Sequence, residues 1–192
     1  MRTGKEILIA NDKIDIRFGW DAFPRQRSMG LIGGLMSEPT SVDCDACAVF
    51  CDNAGKPISS RLSETCLSFI NNSMFHDAAL HSGDNRTGEG LDDEIISLDL
   101  GAIPSSVDTI MLTLDLFKER KRAKLGRIQN TFVRITKQGD SAELGRYDFG
   151  NLGSDKKMVI CGTLKRDGAE WIFLPPQGAP NVDSMDEFIK TL

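Results

Sequence analysis

A chain of 192 residues, 40% hydrophobic and 27% charged, has the composition of an ordinary globular protein and suffices for one domain, 1–192, with a sizeable core. A formal net charge of −5 argues against nucleic acid as a partner, because phosphate recognition rewards a basic face. No apolar run reaches the roughly 18–20 residues that span a bilayer, the N-terminal stretch MRTGKEILIANDKIDIRF is too charged to read as a secretory signal, and five cysteines, an odd number, fit reduced thiols in the cytoplasm.

In chain order, EILIA and KIDIRFGW come first. The second alternates Ile14, Ile16 and Phe18 with Lys13, Asp15 and Arg17, the period of a half-buried strand. Residues 22–40, with Gly30, Gly33, Gly34, Pro24 and Pro39, read as a long surface loop. CDACAVFC follows as a strand. Side-chain alternation puts Cys44 on one face and Cys47 and Cys51 on the other, which does not close a tetrahedral thiolate site, so buried free thiols are expected. After the hairpin signal DNAGK come CLSFI, then IISLDL and TIMLTLDLF, joined through GAIPSSVD.

KERKRAKL (118–125) predicts a short helix with a solvated basic face. NTFVRITKQGDSAELGRYDF and KMVICGTLKRDGAEWIFL predict two hairpins, turning at Gly139–Asp140 and Asp167–Gly168. SMDEFIKTL carries a capping pattern, Ser184 with Glu187 three residues on, and predicts a C-terminal helix over a sheet edge. The whole reads as an all-β chain, a β-sandwich of about 8–10 strands with one or two short peripheral helices.

The chemistry concentrates in GDNRTGEGLDDE (83–94), which crowds five carboxylates and three glycines into twelve positions. Like charges packed into one flexible turn repel, and a hard cation supplies both the missing charge and an ordering force. Asp84, Asn85, Glu89, Asp92, Asp93 and Glu94 are side-chain donors, and Thr87 adds a hydroxyl or carbonyl. Such an oxygen set suits calcium, with its six to eight oxygen ligands, better than magnesium or a transition metal. An EF-hand is excluded, because a loop started at Asp84 places Arg86 at its third position. Asp43 and Asp45, two apart on a strand, share a face and are candidates to complete the site or to hold a second ion, with Asp21, Asn71 and Asn72 as further oxygen donors. His81 is placed to orient the loop rather than to bind zinc. A divalent-metal-dependent phosphoryl hydrolase is the alternative reading of these carboxylates, although no nucleophile–base arrangement stands out.

This loop resembles the signature of the TerD-like family of tellurite-resistance and general stress proteins, in which GDN, TG, EG and DDE follow in this order. FGWD (18–21), VDCDACAVF (42–50), FINN (69–72), HSGDN (81–85), NTFVRI (130–135), GRYDF (145–149) and GAEWIFLPPQG (168–178) are similar to further landmarks of the family in the family's order. The resemblance implies a β-sandwich that binds two calcium ions between its loops, without an established enzymatic activity. It implies as ligands Asp84, Asn85, Thr87, Glu89, Asp92, Asp93 and Glu94 from the loop and Asp43 and Asp45 from the strand, with Asp21 and Asn72 matching landmarks. It also implies work alongside other stress-response proteins in a membrane-associated complex. Two departures stand out: Leu91 is alone where the family usually has one more residue, and LFKERKRAKLG replaces a histidine–aspartate pair.

Overall fold

The computed structural model describes residues 6–10, 12–22, 43–86, 90–116, 125, 128–139, 142–150 and 152–192. Thr87, Glu89, the basic stretch 118–124 and nearly all of the 22–40 segment lie outside the described residues.

Alternation sets the faces. In β2 (Lys13–Ala22) the side chains of Ile14, Ile16, Phe18 and Trp20 are buried on one face, while Asp15 and Arg17 point the other way into a polar network. Antiparallel partners flank it: β7 (Glu94–Asp99), with Ile16 opposite Ile96, and β9 (Ile128–Lys137), with Ile16 opposite Ile135. β10 (Glu143–Asp148), β6 (Ala79–His81) and β5 (Ser73–Met74) extend this sheet to the order β10-β9-β2-β7-β6-β5. The other sheet contains β1 (Ile7–Ile9), β3 (Asp45–Cys51), β4 (Cys66–Leu67), β8 (Thr109–Asp115), β11 (Met158–Asp167) and β12 (Glu170–Leu174), in the order β1-β12-β11-β8-β3-β4. All pairings are antiparallel. One apolar core lies between the sheets, built from Ile14, Ile16, Phe18 and Trp20 on one side and Ala46, Ala48, Phe50, Leu112, Leu114 and Phe173 on the other.

The described residues form twelve strands, more than the sequence predicts, because β4, β5 and β6 are only two or three residues long and carry no periodicity to read. Both predicted hairpins form, as β9–β10 and β11–β12. DNAGK makes a tight turn, with the Asp52 carboxylate accepting the N–H groups of Ala54 and Lys56, but it returns through a single bridge from Cys51 to Pro57 rather than a strand. The chain then makes a one-turn helix, α1 (Leu62–Thr65).

All seven residues of β3 are buried, which one covered face cannot explain. Cys44, Ala46, Ala48 and Phe50 face the inter-sheet core, whereas Cys47, Val49 and Cys51 join a second apolar cluster with Cys66, Met158, Val182, Met185, Phe188 and Ile189. The last three belong to α2 (Met185–Thr191), so the C-terminal helix covers the outer face of the sheet rather than its edge. Ser184 caps it, its Oγ accepting the Glu187 N–H at 3.1 Å, while the Glu187 carboxylate reaches back to the Asp183 N–H at 2.7 Å. The five cysteines are free and buried, as expected. Among the described residues no helix is long and apolar enough to cross a membrane.

Candidate metal centre

The acidic loop connects β6 to β7 at one rim of the sandwich, and hydrogen bonds fix both of its ends. Ser82 donates its N–H to the Ile95 carbonyl and accepts the Ile95 N–H on Oγ, each at 2.9 Å. Gly83 then turns with φ +103°, a conformation in which a Cβ would be strained. Its N–H donates to His81 Nδ1 at 3.0 Å, so the imidazole proton sits on Nε2, which donates to the Ala46 carbonyl at 3.0 Å. The buried His81 ring thus orients the start of the loop against β3, as the sequence suggests.

The three acids at the other end of the loop each accept bonds from a different part of the protein. Asp92 takes a two-pronged contact from Arg134, with Nε on Oδ1 at 2.7 Å and Nη2 on Oδ2, and a further bond from Arg17 Nη1 at 3.1 Å. Burial opposes its ionisation, but the bonds from Arg134 and Arg17 outweigh burial and hold the carboxyl below the ordinary aspartate value. Asp93 accepts the N–H groups of Trp20 and Gly90, each at 2.9 Å, and the Asn85 side-chain amide at 3.4 Å. Its pKa is raised, chiefly by burial, with repulsion from Asp21 and Asp92 adding to it and the Trp20 and Gly90 bonds opposing. Glu94, fully buried, accepts the Ala46 N–H at 2.7 Å on Oε2 and the Asn85 N–H at 3.2 Å on Oε1.

Asp84, at the start of the loop, meets Asp43 and Asp45 from the other sheet. One carboxylate oxygen from each lies within 4.8 Å of the other two, and Oδ1 of each is sealed from solvent. Two oxygens bound about 2.4 Å from a common ion lie at most about 4.8 Å apart, so this spacing fits one hard cation, and three carboxylates are the donor chemistry of calcium rather than of zinc. Asp43 and Asp45 share a face, as alternation along β3 requires, and Asp45 is only 5% exposed.

Of the remaining candidates, Asn85 contacts Asp93 and Glu94, and Asp21 accepts the Asn130 amide at 2.5 Å near the end of β2. Exposed Asn72 serves through its backbone, its carbonyl accepting the His81 N–H at 2.9 Å. Sequence reasoning missed Asp115. It ends β8 in register opposite Asp45, is 2% exposed, and accepts the Cys47 thiol at 3.8 Å. The aspartate closing TIMLTLD was the available signal, but its neighbour on β3 depends on strand pairing.

The family model described as "TerD domain" matches residues 1–180. The chain is 33% identical to the tellurium resistance protein TerZ of Serratia marcescens over 169 residues, covering 85% of this chain and 78% of that protein. It is 27% identical to stress response protein SCP2 of Bacillus subtilis (strain 168) over 180 residues, covering 92% and 87%. Two solved structures share the fold, each with a TM-score of 0.65. They are the unknown function protein SAV2460, 22% identical with 92% of this chain and 91% of that one covered, and the TerD homologue SCO6318 of Streptomyces coelicolor A3(2), 18% identical with 90% and 91% covered. The landmark motifs, the paired antiparallel sheets and a family match over nearly the whole length agree: this chain belongs to the TerD family of tellurium-resistance and general stress proteins.

Proposed function

We propose that the protein binds calcium through Asp43, Asp45 and Asp84 and serves the response to chemical stress as a calcium-dependent binding or scaffold module of the cytoplasm, without catalysis of its own. Its partners on this reading are other stress-response proteins, including ones held at a membrane. The observation that carries the proposal is the convergence of three carboxylates from two different sheets on a volume the size of one hard cation. The names of the relatives, tellurium resistance proteins and stress response proteins, support the cellular setting. Bound calcium would supply charge neutralisation and order at the rim, joining the loop after β6 to the start of β3.

Thermal melting with calcium and with chelator tests the reading. An ion that binds only the folded chain stabilises it by about 2.7 kcal/mol at a hundredfold excess over Kd. The expected result is a higher melting temperature with calcium, a weaker effect of magnesium, and loss of the shift in Asp45→Asn. Superimposable curves with and without calcium overturn it.

A further inference from the structure

The acids of the loop do different jobs. We infer that Asp92 is an anchor rather than an ion ligand, its counter-charge supplied by the guanidinium groups of Arg134 and Arg17. The inference rests on the calcium reading above and concerns which carboxylates take part in it.

Asp92 is held on the outer face of the sheet that contains β2 and β9. Both oxygens of Asp92 accept bonds from Arg134, and Oδ2 accepts a further bond from Arg17. Arg17 is itself held, with Nη2 on Asp15 at 2.7 Å and Nε on Thr136 at 3.0 Å. The other oxygen of Asp15 accepts Ser97 Oγ at 2.7 Å and the Gln138 amide at 3.3 Å. Asp15 and Asp92 thus meet Arg17 and Arg134 across β2, β9 and the end of the loop, with Glu143 of β10 3.8 Å from Arg134 Nη1. The side chains of Asp15, Asp92, Arg17 and Arg134 are only 10–21% exposed.

A cation reaching Asp92 would have to displace a two-pronged guanidinium contact or settle beside two fixed positive charges. Asp93 and Glu94 also accept N–H groups on both oxygens, from neutral backbone donors rather than a guanidinium fork, and keep lone pairs over. Asp84, whose Oδ2 accepts Arg86 Nε at 3.2 Å, comes within 4.8 Å of both Asp43 and Asp45. The arginines supply the counter-charge of Asp92 and fix the end of the loop against the sheet.

Native mass spectrometry and calorimetry of the full chain, with calcium alone as probe, test this. The wild-type chain is expected to bind calcium. Asp84→Asn should weaken binding by about tenfold or more, whereas Asp92→Asn should leave affinity within about threefold yet lower the melting temperature of the ion-free protein. Should Asp92→Asn fold poorly, Arg134→Lys, which keeps the charge and loses the fork, should show the same split: near-native affinity and a lower ion-free melting temperature. An Asp92→Asn variant that loses calcium while its ion-free melting is unchanged overturns the inference and leaves the calcium reading standing. A wild-type chain that takes no calcium overturns both.

Discussion

Glu94 opens β7 in one sheet, yet its carboxylate accepts the backbone N–H of Ala46 in β3 of the other at 2.7 Å. The bond bridges the sandwich at the rim where Asp45, the neighbour of Ala46, meets Asp84. The same glutamate holds the Asn85 N–H, so one side chain relates both halves of the candidate centre. Replacing it by alanine strands two N–H groups, one of them buried, and is expected to cost about 2–5 kcal/mol. Glutamine keeps an acceptor for Ala46 and should cost less. Denaturant unfolding of ion-free protein measures the difference, and equal losses for the two variants would contradict this role.

The buried thiols make a second prediction. Burial, then the charges of neighbouring acids, pushes the Cys44 thiol up; a hydrogen bond shared with Cys66, then burial, raises Cys47; burial, then Asp52, takes Cys51 to about 11. Burial raises Cys161 as well, and only the thiolate reacts, so alkylation of the folded protein at about pH 8 should be slow at Cys44, Cys47, Cys51 and Cys161 and should begin there only at higher pH. Deleting residues 183–192 removes α2 from the cluster that contains Cys47 and Cys66. Those two should then react first, with Cys44 and Cys161, which lie between the sheets, still protected. Peptide mapping after timed alkylation reads the order directly.

Gly162 supplies a third. A Cβ at this position of β11 would lie 2.2 Å from Cζ of Phe173, a fully buried ring stacked on Tyr147 of the opposite sheet at 5.3 Å between centroids. The ring cannot retreat without opening the inter-sheet core, so Gly162→Ala should destabilise by about 1–3 kcal/mol, a fall of several degrees in melting temperature. An unchanged melting temperature would mean that Phe173 repacks freely.

Features with a strong local signal were legible in the chain. Ile14, Ile16 and Phe18 alternate with polar residues, so the faces of β2 follow from period alone, and Ser184 with Glu187 marks the start of α2 at Met185. The short strands β4, β5 and β6 were not legible, because two or three residues form a strand only when a neighbour offers its hydrogen bonds. Nor did the sequence reveal that α2 covers a sheet face, since Cys47, Val49 and Cys51 look alike whether they meet another sheet or a helix.

The amino-acid order by itself determined that five carboxylates share one glycine-rich loop and that Asp43 and Asp45 point the same way, because both are matters of spacing along the chain. Which carboxylates meet was decided by tertiary structure. Arg134, Trp20 and Ala46 lie 42, 73 and 48 residues from the acids they contact, and each was close enough to claim its oxygen once the sheets had packed. Local spacing fixes the supply of donor atoms, but competition among distant partners for those atoms fixes their use.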